Sequence, residues 1–128
     1  MYDITFISYQ EPNADDNWKA LKSRFPMAKR IHGVKGIHQA HIAAAKKCFT
    51  KMFWIVDGDA MIMDDFNFDH EVPSHQLDHV HVWRCKNPVN DLVYGYGGIK
   101  LFPRLMTMRM DTSKPDMSTS ITTKFKAM

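Results

Sequence analysis

At 128 residues with a formal charge of +3, the chain is long enough for one hydrophobic core and too short for two ordinary domains, so its motifs should serve a single site. Its 45% hydrophobic and 24% charged residues exclude a disordered or collagen-like polymer, and Lys and Arg interleaved with acids exclude a nucleic-acid polymer as the expected partner. No apolar run approaches the roughly 18 residues that span a bilayer, so no integral membrane segment is expected, although a peripheral association stays open.

The opening "YDITFISY" is a β-prone run with Ile4, Phe6 and Ile7, read as a first strand ending at Ser8 and Tyr9. Pro12 and Asn13 then signal a helix start. Asp15 and Asp16 suit its first turn, and Ala14, Trp18, Leu21 and Phe25 recur at helical spacing until Pro26. "AKRIHG" predicts a short second strand with a glycine stop. "GIHQAHIAAAKKCF" predicts a second helix with Ile37, His41, Ala44 and Cys48 as its stripe. "KMFWIVDGD" is apolar on both faces, as expected of a central strand covered by helices on each side.

This β-α-β-α-β order predicts a mostly parallel sheet with ligand binding at the carboxyl ends of its strands, where Ser8, Tyr9, Gly33, Asp57 and Asp59 fall. Beyond Asp65 the pattern changes. "HVHVWRCKN" alternates as a strand, with Val80 and Val82 on one face and His79, His81 and Trp83 on the other. "YGYGGIKLFPR" is a glycine-rich turn feeding a further strand, so this half reads as antiparallel or mixed. The polar tail from Asp111 predicts one short helix near Met117 to Thr123 and a loose end. Cys48 and Cys85, on a predicted helix and strand without a signal peptide, favour a reduced, cytoplasmic setting over a disulfide.

Twelve aspartates in a chain this long yield roughly one Asp-x-Asp by chance, so the position of Asp57-Gly58-Asp59 carries its meaning. At the exit of a central strand, with Gly58 permitting a tight turn, the two carboxylates can offer oxygen ligands to Mg²⁺ or Mn²⁺ and leave positions for phosphate oxygens. His79 and His81 form a second pair at strand spacing. A half-exposed strand face is the plainer account of it than a metal site.

The stretches "ITFISYQE", "GIHQAHIAAAKKCFTKMFWIVDGDA" and "YGYGGIKLF" together resemble the GT-A class of nucleotide-sugar glycosyltransferases, nearest to small glycosyltransferase-like proteins of phages and marine bacteria. The resemblance implies a single Rossmann-like domain, with residues 1–65 as the nucleotide-binding half and 66–128 as a reduced sugar and acceptor half. It implies a UDP-sugar donor, with UDP-glucose as the working choice, an unspecified acceptor, and Mn²⁺ or Mg²⁺ as cofactor. Ser8, Tyr9 and Gln10 would read the base, Asp57 and Gly58 would face the ribose, and Asp59, with Asp57, would hold the metal. Arg30 and His38 are further nucleotide-side candidates, and Gly98, in the turn beginning at Tyr94, lies on the sugar side. Asp116, then Asp91, are the candidates for the general base that an inverting reaction needs. A homo-oligomer is left open, and the compartment would be host cytoplasm for a phage protein.

The chain departs from the family in having no histidine after His81, where many members place a third metal ligand, and in the brevity of its acceptor half. The alternative is therefore a nucleotide-sugar binding module without transfer. A haloacid-dehalogenase-type phosphatase also ends a strand in Asp-x-Asp, but it wants Thr or Val where Ala60 stands and usually begins on its first strand. A nucleotidyltransferase would carry a basic, glycine-rich loop in place of "SYQEPNADD".

Overall fold

The computed structural model describes residues 1–60, 62, 66–83, 85–86, 93–94 and 99–127. The expected alternation is present in its first half: β1 (Asp3–Ser8), α1 (Ala14–Arg24), β2 (Lys29–His32), α2 (Ile37–Lys47) and β3 (Met52–Asp57). A single 3-10 turn (Ser74–Gln76) precedes β4 (Val80–Val82). Then follow β5 (Cys85–Lys86), β6 (Val93–Tyr94), β7 (Ile99–Pro103), α3 (Arg104–Met108), α4 (Met117–Ile121) and β8 (Phe125–Ala127). The fold is α/β, with a six-stranded mixed sheet in the order β2-β1-β3-β7-β4-β8 and a separate two-stranded sheet of β5 and β6.

β1 pairs in parallel with β2 and with β3, while β7 runs antiparallel to both β3 and β4, and β4 pairs in parallel with β8. The second half is thus mixed, as expected, but most of it continues the same sheet.

The apolar run of β3 follows from its place between two cores. Phe53 and Ile55 pack on one face with Ala44, Ala45, Cys48, Phe102 and the α4 residues Met117 and Ile121. Met52, Trp54 and Val56 pack on the other with Leu21 of α1, Phe68 and Val72. Every residue from Met52 to Val56 is buried, and each large side chain contributes about 1.5–3 kcal/mol by leaving water. On the α1 face, the irregular segment that holds Phe66 and Phe68 covers Trp54, with ring centroids 5.9 and 5.1 Å away. The hydroxyl of Tyr2 pins that segment by accepting from the Val72 N–H at 3.0 Å.

Five expectations need correction. The buried stripe of α2 is Ala40, His41, Ala44 and Ala45, while Ile37 at its start is 57% exposed. Cys48 lies just past the helix, its thiol 3.1 Å from Thr5 Oγ1. The run "HVHVWRCKN" is not one strand, because β4 stops at Val82 and Cys85–Lys86 leaves to pair with β6. His81 is fully buried rather than half-exposed, since the segment before β4 covers its face, with the Gln76 carbonyl on Nε2 and the His70 ring 6.2 Å away. The tail beyond α4 is not loose: three exposed residues, Phe125 to Ala127, add the edge strand beside β4. Among the described residues no helix is long and apolar enough to cross a membrane.

Candidate functional site

Parallel pairing brings three strand ends level. Ser8 stands opposite His32 of β2, and its neighbour Ile7 stands opposite Asp57 of β3. A side chain at any of these ends therefore faces the same edge of the sheet. Beyond Ser8 the Gly33 N–H donates to the Ser8 carbonyl at 3.0 Å, and the φ of +76° at Gly33 gives the backbone its turn away from the sheet.

The chain leaves β3 in a tight turn closed by the Ala60 N–H on the Asp57 carbonyl, at 2.9 Å. Asn17 of α1 ties that turn down by donating from Nδ2 to the Gly58 carbonyl at 3.0 Å. Gly58 is required by space, because a β-carbon there would lie 2.9 Å from Ser8 Cβ and 2.8 Å from Glu11 Oε1. Glu11 is itself held, accepting from the Tyr9 N–H at 2.7 Å. The loop after β1 and the turn after β3 thus interlock.

These pieces border a cleft of about 420 Å³ that brings together Ser8, Tyr9, Asp57, Gly58 and Asp59. Ser8 is buried and Tyr9 is 45% exposed, so the tyrosine stands at the mouth. Asp57 is raised from its ordinary value to about 6, first by burial and then by the nearby charges of Asp59 and Glu11, with Lys100 opposing. Its carboxylate has no hydrogen bond or ion pair among the described residues, and neither has that of Asp59.

A four-residue network backs the cleft. Arg30 Nε donates to Ser8 Oγ at 3.0 Å, and Ser8 Oγ lies 2.8 Å from His32 Nδ1. Arg30 Nη2 also reaches Asp15 Oδ1 at 2.8 Å and His32 Nδ1 at 3.3 Å. Since Nδ1 accepts, His32 carries its proton on Nε2.

Several predicted residues fall elsewhere. Arg30 acts through Ser8 and does not line the cleft. Gln10 is exposed beside it. His38 points to the far segment, its Nε2 2.8 Å from the Lys114 carbonyl and 3.3 Å from Ser120 Oγ. Asp116 is the N-cap of α4, accepting from the Ser118 N–H at 3.3 Å, and does not line the cleft. Asp91 and Gly98 lie outside the described residues.

Two titratable lining residues, Glu11 and His41, were not among the expected site residues. Glu11 had registered only as part of an acidic loop. The signal for His41 was its position in the helical stripe, which read as packing. Its Nδ1–H donates to the Ile37 carbonyl at 2.8 Å and its ring meets Phe102 edge-on at 5.5 Å. Burial, with Lys100 and His38 nearby, pushes it down to about 4.

The pair expected at His79 and His81 is not a ligand cluster. His79 Nδ1 is 2.8 Å from Asp78 Oδ1, and His81 Nε2 donates to the Gln76 carbonyl at 3.1 Å. Among the described residues no three His, Cys, Asp or Glu side chains are arranged to hold a metal. No protein-family model, curated protein or solved structure matches the chain.

Proposed function

We propose that this chain is a minimal GT-A-type glycosyltransferase domain that binds a UDP-sugar, with UDP-glucose as the working donor, together with Mn²⁺ or Mg²⁺. The observation that carries the reading is the sharing of one cleft by Asp57, Asp59, Ser8 and Tyr9 at the carboxyl edge of parallel strands. The alternation of strands and helices and the mixed sheet agree with it.

The residues present fit a divalent cation. Asp57 and Asp59 offer only oxygen, the donor type that Mg²⁺ and Mn²⁺ take. Asp57 is lifted first by burial and then by the charges of Asp59 and Glu11, with no cation in an ion pair to either aspartate among the described residues, so a doubly charged ion would offset both causes. Asp57 and Asp59 would hold the ion, which when bound supplies Lewis-acid stabilisation of a departing diphosphate. Gly58 lets the turn come close, Ser8 is kept oriented by Arg30, and Tyr9 offers a ring face at the mouth.

A nucleotide-sugar binding module without transfer is the second reading, favoured by the placement of Asp116 as a helix cap outside the cleft. Titration calorimetry with UDP-glucose and Mn²⁺, followed by an assay for free UDP, tests both. Binding with UDP release supports the transferase, and binding without release selects the module. Absence of binding rejects both.

A further inference from the structure

His41 is 4% exposed, yet it is a wall of the cleft. Its tautomer is fixed by geometry, because the Ile37 carbonyl 2.8 Å from Nδ1 can only accept, so Nδ1 holds the proton and the neutral ring keeps a lone pair on Nε2. No described residue donates to Nε2, and Nε2 is not among the buried polar atoms sealed from solvent without a partner. The cleft is the open space this ring borders. An acceptor that opens onto a binding cleft from an otherwise buried ring, without a protein donor, is free to take a donor from the ligand.

Part of the cleft lining is apolar, beside the polar Ser8, Glu11, Asp57 and Asp59. Ile7, Val34 and Ala40 line the same cleft, and Tyr9 and Ile37, exposed by 45% and 57%, stand at its mouth. Apolar lining with the His41 acceptor among it suits a heteroaromatic ring that carries an N–H. A ring N–H meets that acceptor with its single hydrogen.

We propose that His41 is the base-reading residue of the cleft, its Nε2 accepting from the ring N–H of a uracil or guanine base. The inference rests on the nucleotide reading of the site and adds to it the residue that selects the base. His41 then takes the base-reading role that the resemblance implied for Ser8, Tyr9 and Gln10, while Ser8, Asp57 and Asp59 take the ribose and diphosphate side.

The test uses the whole chain with Mn²⁺ and compares UDP with N3-methyl-UDP and GDP with N1-methyl-GDP by titration calorimetry. The expected result is that UDP or GDP binds the native protein and that ring methylation weakens it by about tenfold or more, as for the loss of one buried hydrogen bond. In His41→Leu the parent and methylated forms should bind alike, and His41→Gln, whose amide oxygen can accept, should recover part of the difference. Equal binding of parent and methylated nucleotides to the native protein overturns the inference, as does a difference that survives in His41→Leu. The native comparison decides even where a variant fails to fold. Should UDP-glucose bind with Mn²⁺ while ring methylation has no effect, the base assignment falls alone; should no nucleoside diphosphate or nucleotide sugar bind, it falls together with the proposed function.

Discussion

Ser8 and Gly58 approach so closely that a β-carbon on the glycine would lie 2.9 Å from Ser8 Cβ. Ser8 is fixed by the β1 ladder and cannot retreat, and Glu11 Oε1, 2.8 Å from the same point, is anchored on the Tyr9 N–H. Gly58→Ala should therefore destabilise the fold by about 1–3 kcal/mol, the range for overpacking a tight site. A urea titration would show a lowered midpoint. Adding Glu11→Ala should recover only part of the loss, because the Ser8 contact remains.

Asp59 is exposed at the rim, so removing its carboxylate leaves the core intact. Asp59→Ala should keep the native unfolding midpoint while weakening UDP-glucose binding in Mn²⁺ by roughly tenfold to a hundredfold, the range for one charged partner. Chelation of the metal should produce a comparable loss in the native protein and almost none in the variant. Native-like binding by Asp59→Ala that still depends on Mn²⁺ would place the ion elsewhere.

The first half of the fold was legible because its signals are long and physical. Five successive apolar residues from Met52 to Val56 can be buried on both faces only at the middle of a covered sheet, and helical periodicity marked α1 and α2. The edge strand Phe125–Ala127 carried no such signal. All three residues are exposed, and only pairing with β4 makes them a strand. His81 misled for the related reason that alternation shows which residues share a face and not whether both faces are covered. At the site, the aspartates were legible from their place at a strand end. The place of His41 in the cleft wall was not, since a histidine in an alanine-rich stripe looks the same whether it packs or borders a cleft.

Arg30 and Asp15 offer a test of the network behind Ser8. The guanidinium hydrogen bond and charge hold the Asp15 carboxyl below its ordinary range. In Arg30→Ala an NMR titration should find Asp15 moved back up toward the usual carboxylate value. Arg30→Lys should give an intermediate position, because an ammonium supplies charge without the planar fork that reaches Ser8 and Asp15 together. An unmoved Asp15 in Arg30→Ala would show that the ion pair does not persist in solution.

Asp57 and His41 line the same cleft and should pull stability in opposite directions as pH changes. Asp57 rises from 3.8 to about 6 on folding, so between those values the unfolded chain has released a proton that the folded chain keeps. Its contribution is most favourable below pH 3.8 and declines by about 3 kcal/mol as pH rises through 6. His41 falls from 6.5 to about 4, so the unfolded chain gains a proton that the folded chain refuses. Its contribution is complete above pH 6.5 and is lost, by a similar amount of about 3 kcal/mol, as pH falls through 4. In the shared window the two offset each other. Measured by urea unfolding without metal, Asp57→Asn should thus lose more stability than the native protein between pH 7 and 4, and His41→Gln should lose less or gain. Taking each variant as a difference from the native profile cancels His81, which burial also lowers. Profiles that run parallel to the native one in both variants would mean that water reaches these two side chains as freely in the folded chain as in the unfolded one.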